Sequence, residues 1–177
     1  MEPEKTIVIP VRMDEKTFKR FARFDTFLLR RKWVRPAVFS LILIVFAFVA
    51  LLLRREQSGL IAAVLLVVGL GLPLVYVGTF LSQVNMQAVR LKLKPPRPVY
   101  TVTLRESGVT VENSRKKEET QELPWPSMKK AYRRKGCVYL YATATKAYLL
   151  PDGQANVPDQ EVWDFLQKHL PTAPPAH

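Results

Sequence analysis

The chain has 177 residues, 48% of them hydrophobic, and 27 Lys/Arg against 15 Asp/Glu give it a net charge of +12. With a single cysteine, Cys137, and two histidines, His169 and His177, disulfide frameworks and Cys/His zinc sites are excluded. The excess charge does not indicate nucleic acid, because it gathers where a membrane topology demands it and no nucleic-acid motif accompanies it.

Thr6 to Val11 is a short β-prone stretch, and Pro10 confines it to a sheet edge. Asp14 has the character of a helix N-cap, with Glu15 at the positive end of the helix. From Lys16 to Arg31, Phe18, Phe21, Ala22, Leu28 and Leu29 recur near helical spacing. Phe24 and Phe27 widen the apolar face and Asp25 interrupts it. Residues 1–33 are read as a β-prone segment and an amphipathic helix at the inner membrane interface, the alternative for Lys16–Arg31 being a simple cytoplasmic extension of the first span. Trp33 is placed as an interfacial anchor beside Arg30, Arg31, Lys32 and Arg35, and Pro36 caps or kinks the start of the span.

Two uncharged runs follow, Ala37–Leu53 and Leu60–Leu81, separated only by Arg54 to Gly59. About 20 apolar residues cross the hydrocarbon as a helix, so residues 34–83 are expected to form a transmembrane hairpin with spans 34–53 and 60–81. A buried hairpin of a soluble protein would carry a polar face, and neither run has one. A signal peptide is disfavoured by the charged segment before the first run and by Arg54-Arg55 after it. Eleven Lys/Arg flank the outer ends of the two spans and two lie in the connector, which places both termini on the cytoplasmic side. The same residues attract anionic headgroups, so membrane lipid is an expected partner. The spans hold no ionisable residue, which disfavours a transporter or channel. Gly69, Gly71 and Pro73 are expected to bend the second helix. Gly69 and Gly71, with Tyr76, Thr79 and Gln83 on one face, are read as packing within the hairpin or as a docking stripe for another membrane protein.

Residues 84–98 read as a basic, Pro-rich linker ending in Lys94-Pro95-Pro96-Arg97-Pro98. Beyond it the period changes to two. Val99–Leu104, Val109–Glu112, Glu118–Leu123, Lys130–Arg134, Cys137–Tyr141 and Ala147–Leu150 read as strands, with a helical turn or bulge near Trp125 and Met128. Pro158 opens a final helix whose stripe is Val162, Phe165, Leu166 and Leu170. Residues 99–170 are therefore expected to form a small antiparallel β-roll, similar to a pleckstrin-homology (PH-like) domain, capped by a C-terminal helix. The roll is expected to fold on its own core, and residues 171–177 are a disordered tail. The fold class is an α+β membrane protein.

Three segments carry a family resemblance: Phe24-Asp25-Thr26…Arg30-Arg31-Lys32-Trp33 before the hairpin, Leu123-Pro124-Trp125-Pro126-Ser127-Met128, and Tyr139-Leu140-Tyr141…Leu149-Leu150-Pro151 before the last helix. On these the chain resembles the YcxB-like membrane proteins of bacteria over residues 21–170. That resemblance implies a cytoplasmic β-roll and a bacterial inner-membrane setting, and it brings no catalytic residues. No nucleophile elbow, phosphate loop or metal-spaced cluster is found, so neither catalysis nor a cofactor is expected. The candidate site is the basic group Lys129, Lys130, Arg133, Arg134 and Lys135, for an anion or an acidic partner. The alternative is a strand edge blunted by charge. The expected role is tethering or recognition at the membrane through an unknown protein partner. The alternatives are an accessory subunit acting through the hairpin and, less favoured, an enzyme.

Overall fold

The first strand, β1 (Ile7–Met13), alternates buried Ile7, Ile9, Val11 and Met13 with outward-facing residues, as period-two patterning requires. It pairs antiparallel not with a neighbour in sequence but with β2 (Arg97–Arg105), from Ile7 opposite Leu104 to Met13 opposite Arg97. The computed structural model describes residues 6–53, 57–114 and 119–170. Within them the protein is α+β, with two long apolar helices and two antiparallel sheets. The chain divides into two units, residues 1–21 with 92–177, and residues 22–91.

In the first unit, β1, β2, β3 (Gly108–Asn113) and β4 (Thr120–Leu123) form a four-stranded sheet in that order. A second sheet holds β5 (Lys130–Arg134), β6 (Cys137–Tyr141) and β7 (Ala147–Pro151). A short 3-10 turn, Trp125–Ser127, links the sheets, and α4 (Asp159–His169) closes the unit. The core is one cluster that includes Ile7, Ile9 and Val11 of β1, Val102 and Leu104 of β2, Val138 and Leu140 of β6, and Val162, Phe165, Leu166 and Leu170. The expected stripe of the last helix is therefore its buried face.

Gly108 lets the start of β3 pass close to the end of β4: a Cβ there would lie 2.7 Å from the Leu123 carbonyl oxygen, closer than real Cβ atoms come. The Tyr100 hydroxyl joins the sheets, accepting from Leu149 N–H (2.7 Å) and donating to its carbonyl (3.1 Å).

The expectation of a self-contained roll over 99–170 needs correction. β1, which precedes the two long helices in the chain, supplies three fully buried side chains to the core. The edge position foreseen for Pro10 is found, since β1 is the outer strand. Its free edge is not left open. Val8 N–H donates to Asn156 Oδ1 (2.9 Å) and Asn156 N–H donates to the Val8 carbonyl (3.1 Å). Arg12 N–H donates to Gln154 Oε1 (2.7 Å), and Gln154 Nε2 donates back to the Arg12 carbonyl (2.9 Å). Pro10 sits between these anchors, where its missing N–H leaves no pairing unmet.

Asp14 caps α1 (Glu15–Arg23) as expected, its Oδ1 accepting from Thr17 N–H at 2.8 Å. A π-helical segment, Phe24–Leu29, follows. Arg31 then takes a left-handed backbone (φ 46°), which few non-glycine residues adopt, and breaks the helix before the first long one begins. Residues 16–31 therefore do not run into the first long helix as one unbroken helix.

In the second unit, α2 (Val34–Leu52) and α3 (Ser58–Arg90) are long and apolar enough to cross a membrane by length and composition. α3 continues through Pro73 and past residue 83, so Val84–Arg90 is helix where a linker was expected. The charged turn expected between β3 and β4, Asn113 to Lys117, lies outside the described residues from 115 on, as does the tail.

Candidate functional site

The expected basic cluster lies on and beside β5, the edge strand of the second sheet, but strand alternation divides it. Ala131 points into the core and Arg133 shares its side, where the Arg133 guanidinium donates to Gln160 Oε1 of α4 at 2.6 Å. Lys130, Tyr132 and Arg134 project from the opposite face, because successive side chains on a strand alternate. Lys129 is exposed, and its N–H donates to the Tyr141 carbonyl (2.8 Å). Lys135 is exposed in the two-residue turn to β6, made by Gly136 with φ 80°. The five cations do not form one patch.

The face holding Lys130 and Arg134 has a second contributor that the sequence reading missed. Every residue of β6 is buried, on both sides of the sheet. Val138 and Leu140 face the core, whereas Cys137, Tyr139 and Tyr141 face outward beneath α1. Phe21 of α1 sets its ring 5.2 Å from Tyr139 and 6.3 Å from Tyr141. Tyr132 meets Tyr141 edge-on at 5.7 Å. Burial pushes the Tyr139 hydroxyl up to about 12, against the charges of Arg20 and Arg134, so it stays protonated as a donor. Burial likewise pushes the Cys137 thiol up to about 12, which makes it a poor nucleophile.

A second polar cluster sits where α4 ends. His169 stacks on Trp125, with ring centroids 4.6 Å apart. Its Nδ1 lies 2.8 Å from the Phe165 carbonyl and its Nε2 lies 2.7 Å from Glu106 Oε2. Lys168 Nζ reaches the other Glu106 oxygen at 3.0 Å. His169 and Lys168 hold the Glu106 carboxyl below its ordinary range, the His169 hydrogen bond acting most strongly. Trp125 is buried and donates through Nε1 to the Arg105 carbonyl (2.9 Å). The cluster clasps α4 to the β2–β3 turn.

Of the residues expected at a membrane interface, Arg30 pairs with Asp25 (2.8 Å), while Arg31, Lys32 and Arg35 are exposed. Trp33, also exposed, donates to the Phe27 carbonyl at 3.1 Å. Within the hairpin, Gly69 is packing glue. A Cβ on it would meet Ile44, Leu43 and the Ser40 carbonyl at 3.2–3.3 Å, and Ser40 Oγ donates to its carbonyl. Gly71 has open space around it. Tyr76 faces Phe27 of the π-helical segment (6.5 Å), Thr79 bonds carbonyls of its own helix, and Gln83 is exposed. With Gly69, the buried small residues of the two runs are Ser40, Ala47 and Ala62.

No family model, no curated protein and no solved structure matches the chain.

Proposed function

We propose that this chain is a two-pass integral membrane protein whose strand-rich unit is a non-catalytic recognition or tethering module at the cytoplasmic face. One observation carries the reading: β1 precedes both long helices, β2 follows both, and the two strands pair. A chain that crossed the bilayer once would leave them on opposite sides. Cleavage of a leader after the first helix would remove β1 and its core side chains. Two crossings return β2 to the side of β1.

The surface of the helices supports this reading. Phe39, Phe46, Phe48 and Leu52 of α2 and Leu60, Val67 and Leu74 of α3 are exposed, an apolar area that water penalises and lipid accommodates. The Lys/Arg bias at the outer span ends orients the termini to the cytoplasm. Seven strands in two sheets closed by one helix fit a PH-like roll, and the YcxB-like resemblance supplies the bacterial inner membrane.

Site-directed labelling tests the topology. Gly59→Cys, at the start of α3, has open space around its Cβ, and Ser107→Cys lies exposed in the β2–β3 turn. Buried Cys137 stays silent as background. An impermeant maleimide should reach position 59 only from the periplasmic side and position 107 only after the membrane is opened. Equal labelling of both from one side would sink the two-pass reading.

A further inference from the structure

The chain enters its first long helix through a corner that gathers cations and is pinned by backbone hydrogen bonds. Arg30 N–H donates to the Asp25 carbonyl (2.9 Å) and Lys32 N–H to the Thr26 carbonyl (3.1 Å), closing the π-helical segment. Arg31 then turns the chain with its φ of 46°, and Val34 N–H donates back to the Arg31 carbonyl (3.0 Å) as α2 starts. The Trp33 indole adds a further bond, to the Phe27 carbonyl at 3.1 Å. The ends of a four-residue turn lie within about 7 Å, so Arg31, Lys32 and the following Arg35 share one short folded stretch. All three are exposed, and none pairs with a carboxylate among the described residues. No acid stands in the first turn of α2 to neutralise them. Arg30 differs, because Asp25 already takes its guanidinium at 2.8 Å.

The corner also marks a depth. Phe27 sets its ring 4.9 Å from Phe80 and 6.5 Å from Tyr76 of α3, so aromatic side chains gather beside the point where α2 begins. The 19 residues of α2 make about 28 Å of helix, close to the roughly 30 Å of a hydrocarbon layer. On the two-pass reading, Val34 lies at the edge of that layer and the three cations stand among the phosphates of the cytoplasmic leaflet.

We infer that Arg31, Lys32 and Arg35 form a binding site for the headgroup of an anionic phospholipid, with the exposed Trp33 indole as its neighbour at the hydrocarbon edge. The planar forks of Arg31 and Arg35 match phosphate oxygens in pairs, and the Lys32 ammonium adds a point charge. Three uncompensated cations favour a headgroup of net negative charge over a zwitterionic one, whose own ammonium they repel. Charge complementarity thus selects the occupant, a lipid of the phosphatidylglycerol kind. The inference rests on the two-pass reading for the depth of the corner and goes beyond it in assigning a lipid class to named residues.

Native mass spectrometry of the full chain released from neutral detergent tests the site, with dioleoyl phosphatidylglycerol and dioleoyl phosphatidylcholine as probes. Wild type should hold one phosphatidylglycerol at least about tenfold more tightly than phosphatidylcholine, since each Lys/Arg near an anionic surface adds about fivefold. Arg31→Gln, Lys32→Gln and Arg35→Gln together should abolish that preference. Lys129→Gln, Lys130→Gln and Lys135→Gln, an equal loss of charge from exposed positions of the strand-rich unit, should leave it intact. Arg31→Lys with Arg35→Lys keeps the charge that sets topology and loses the forks, so it reads the site even where the Gln variant fails to insert, and an intermediate loss is expected. Equal affinity of wild type for the two lipids, or an equal loss of preference in both triple variants, overturns the site. Cysteine labelling at positions 59 and 107 reads topology without lipid, so the two proposals fail separately.

Discussion

Of the seven strands among the described residues, residues 98–177 contain six, β2 short of only Arg97, and the closing helix, yet the structure predicts that this fragment does not fold. Removing everything before Pro98 deletes β1, and with it Ile7, Ile9 and Val11, each fully buried. Full burial of a side chain of this size contributes about 1.5–3 kcal/mol, so the three together supply about 5–9 kcal/mol. That matches the whole stability of an ordinary domain, about 5–15 kcal/mol. The loss also bares Val102 and Leu104 and strips β2 of its hydrogen-bonded neighbour, leaving an open edge that invites aggregation. The comparison is a version joining residues 6–21 to 92–170 through a flexible Gly/Ser linker. Urea unfolding followed by near-ultraviolet circular dichroism should give a cooperative transition for the joined version and none for the 98–177 fragment. Within the joined version, Ile9→Ala should cost about 2–5 kcal/mol. A cooperative transition in the short fragment within about 1 kcal/mol of the joined version would refute the reasoning, because β1 would then be an ornament on a complete core.

Trp125→Ala, measured the same way, should cost about 3–5 kcal/mol, because the ring is buried against Phe165 and His169 and donates to Arg105; a cost under about 1 kcal/mol would contradict that burial. Glu106 has its carboxyl held low by His169 and Lys168, so its contribution is present above the unfolded carboxylate value and fades as pH falls through the lower folded one. The difference in thermal midpoint between wild type and Glu106→Gln should therefore shrink on acidification below about pH 4, and a difference that grew there would contradict the clasp.

Patterns confined to one element were legible in the sequence. The stripe Val162, Phe165, Leu166 and Leu170 announces the buried face of α4, and alternation announces β2 and β3. The start of α2 at Val34 follows from the length an apolar run needs. Pairing across the two long helices left no local mark, so the place of β1 in the sheet was not readable beyond the edge preference of Pro10. The basic cluster was misjudged because closeness in sequence was taken as closeness in space, whereas alternation on β5 sends Arg133 away from Lys130 and Arg134. A signal for the second covered face did exist. Cys137–Tyr141 is apolar or aromatic at every position, the mark of a strand buried on both sides, and Phe18 and Phe21 were at hand to cover it. The break at Arg31 rests on a left-handed non-glycine residue, which composition does not reveal.

The position of β1 has a consequence for biosynthesis. Ile7 emerges from the ribosome ahead of both long helices, and its sheet neighbour Leu104 emerges after them. The first strand must wait, unpaired, while the intervening helices are made, and closing so long a loop carries an entropy cost that no early contact repays. In a chain that threads the bilayer twice, insertion thus precedes folding of the strand-rich unit. On the proposed two-pass topology, a hairpin that failed to return would strand β1 across the membrane and leave the edge of β2 unpaired.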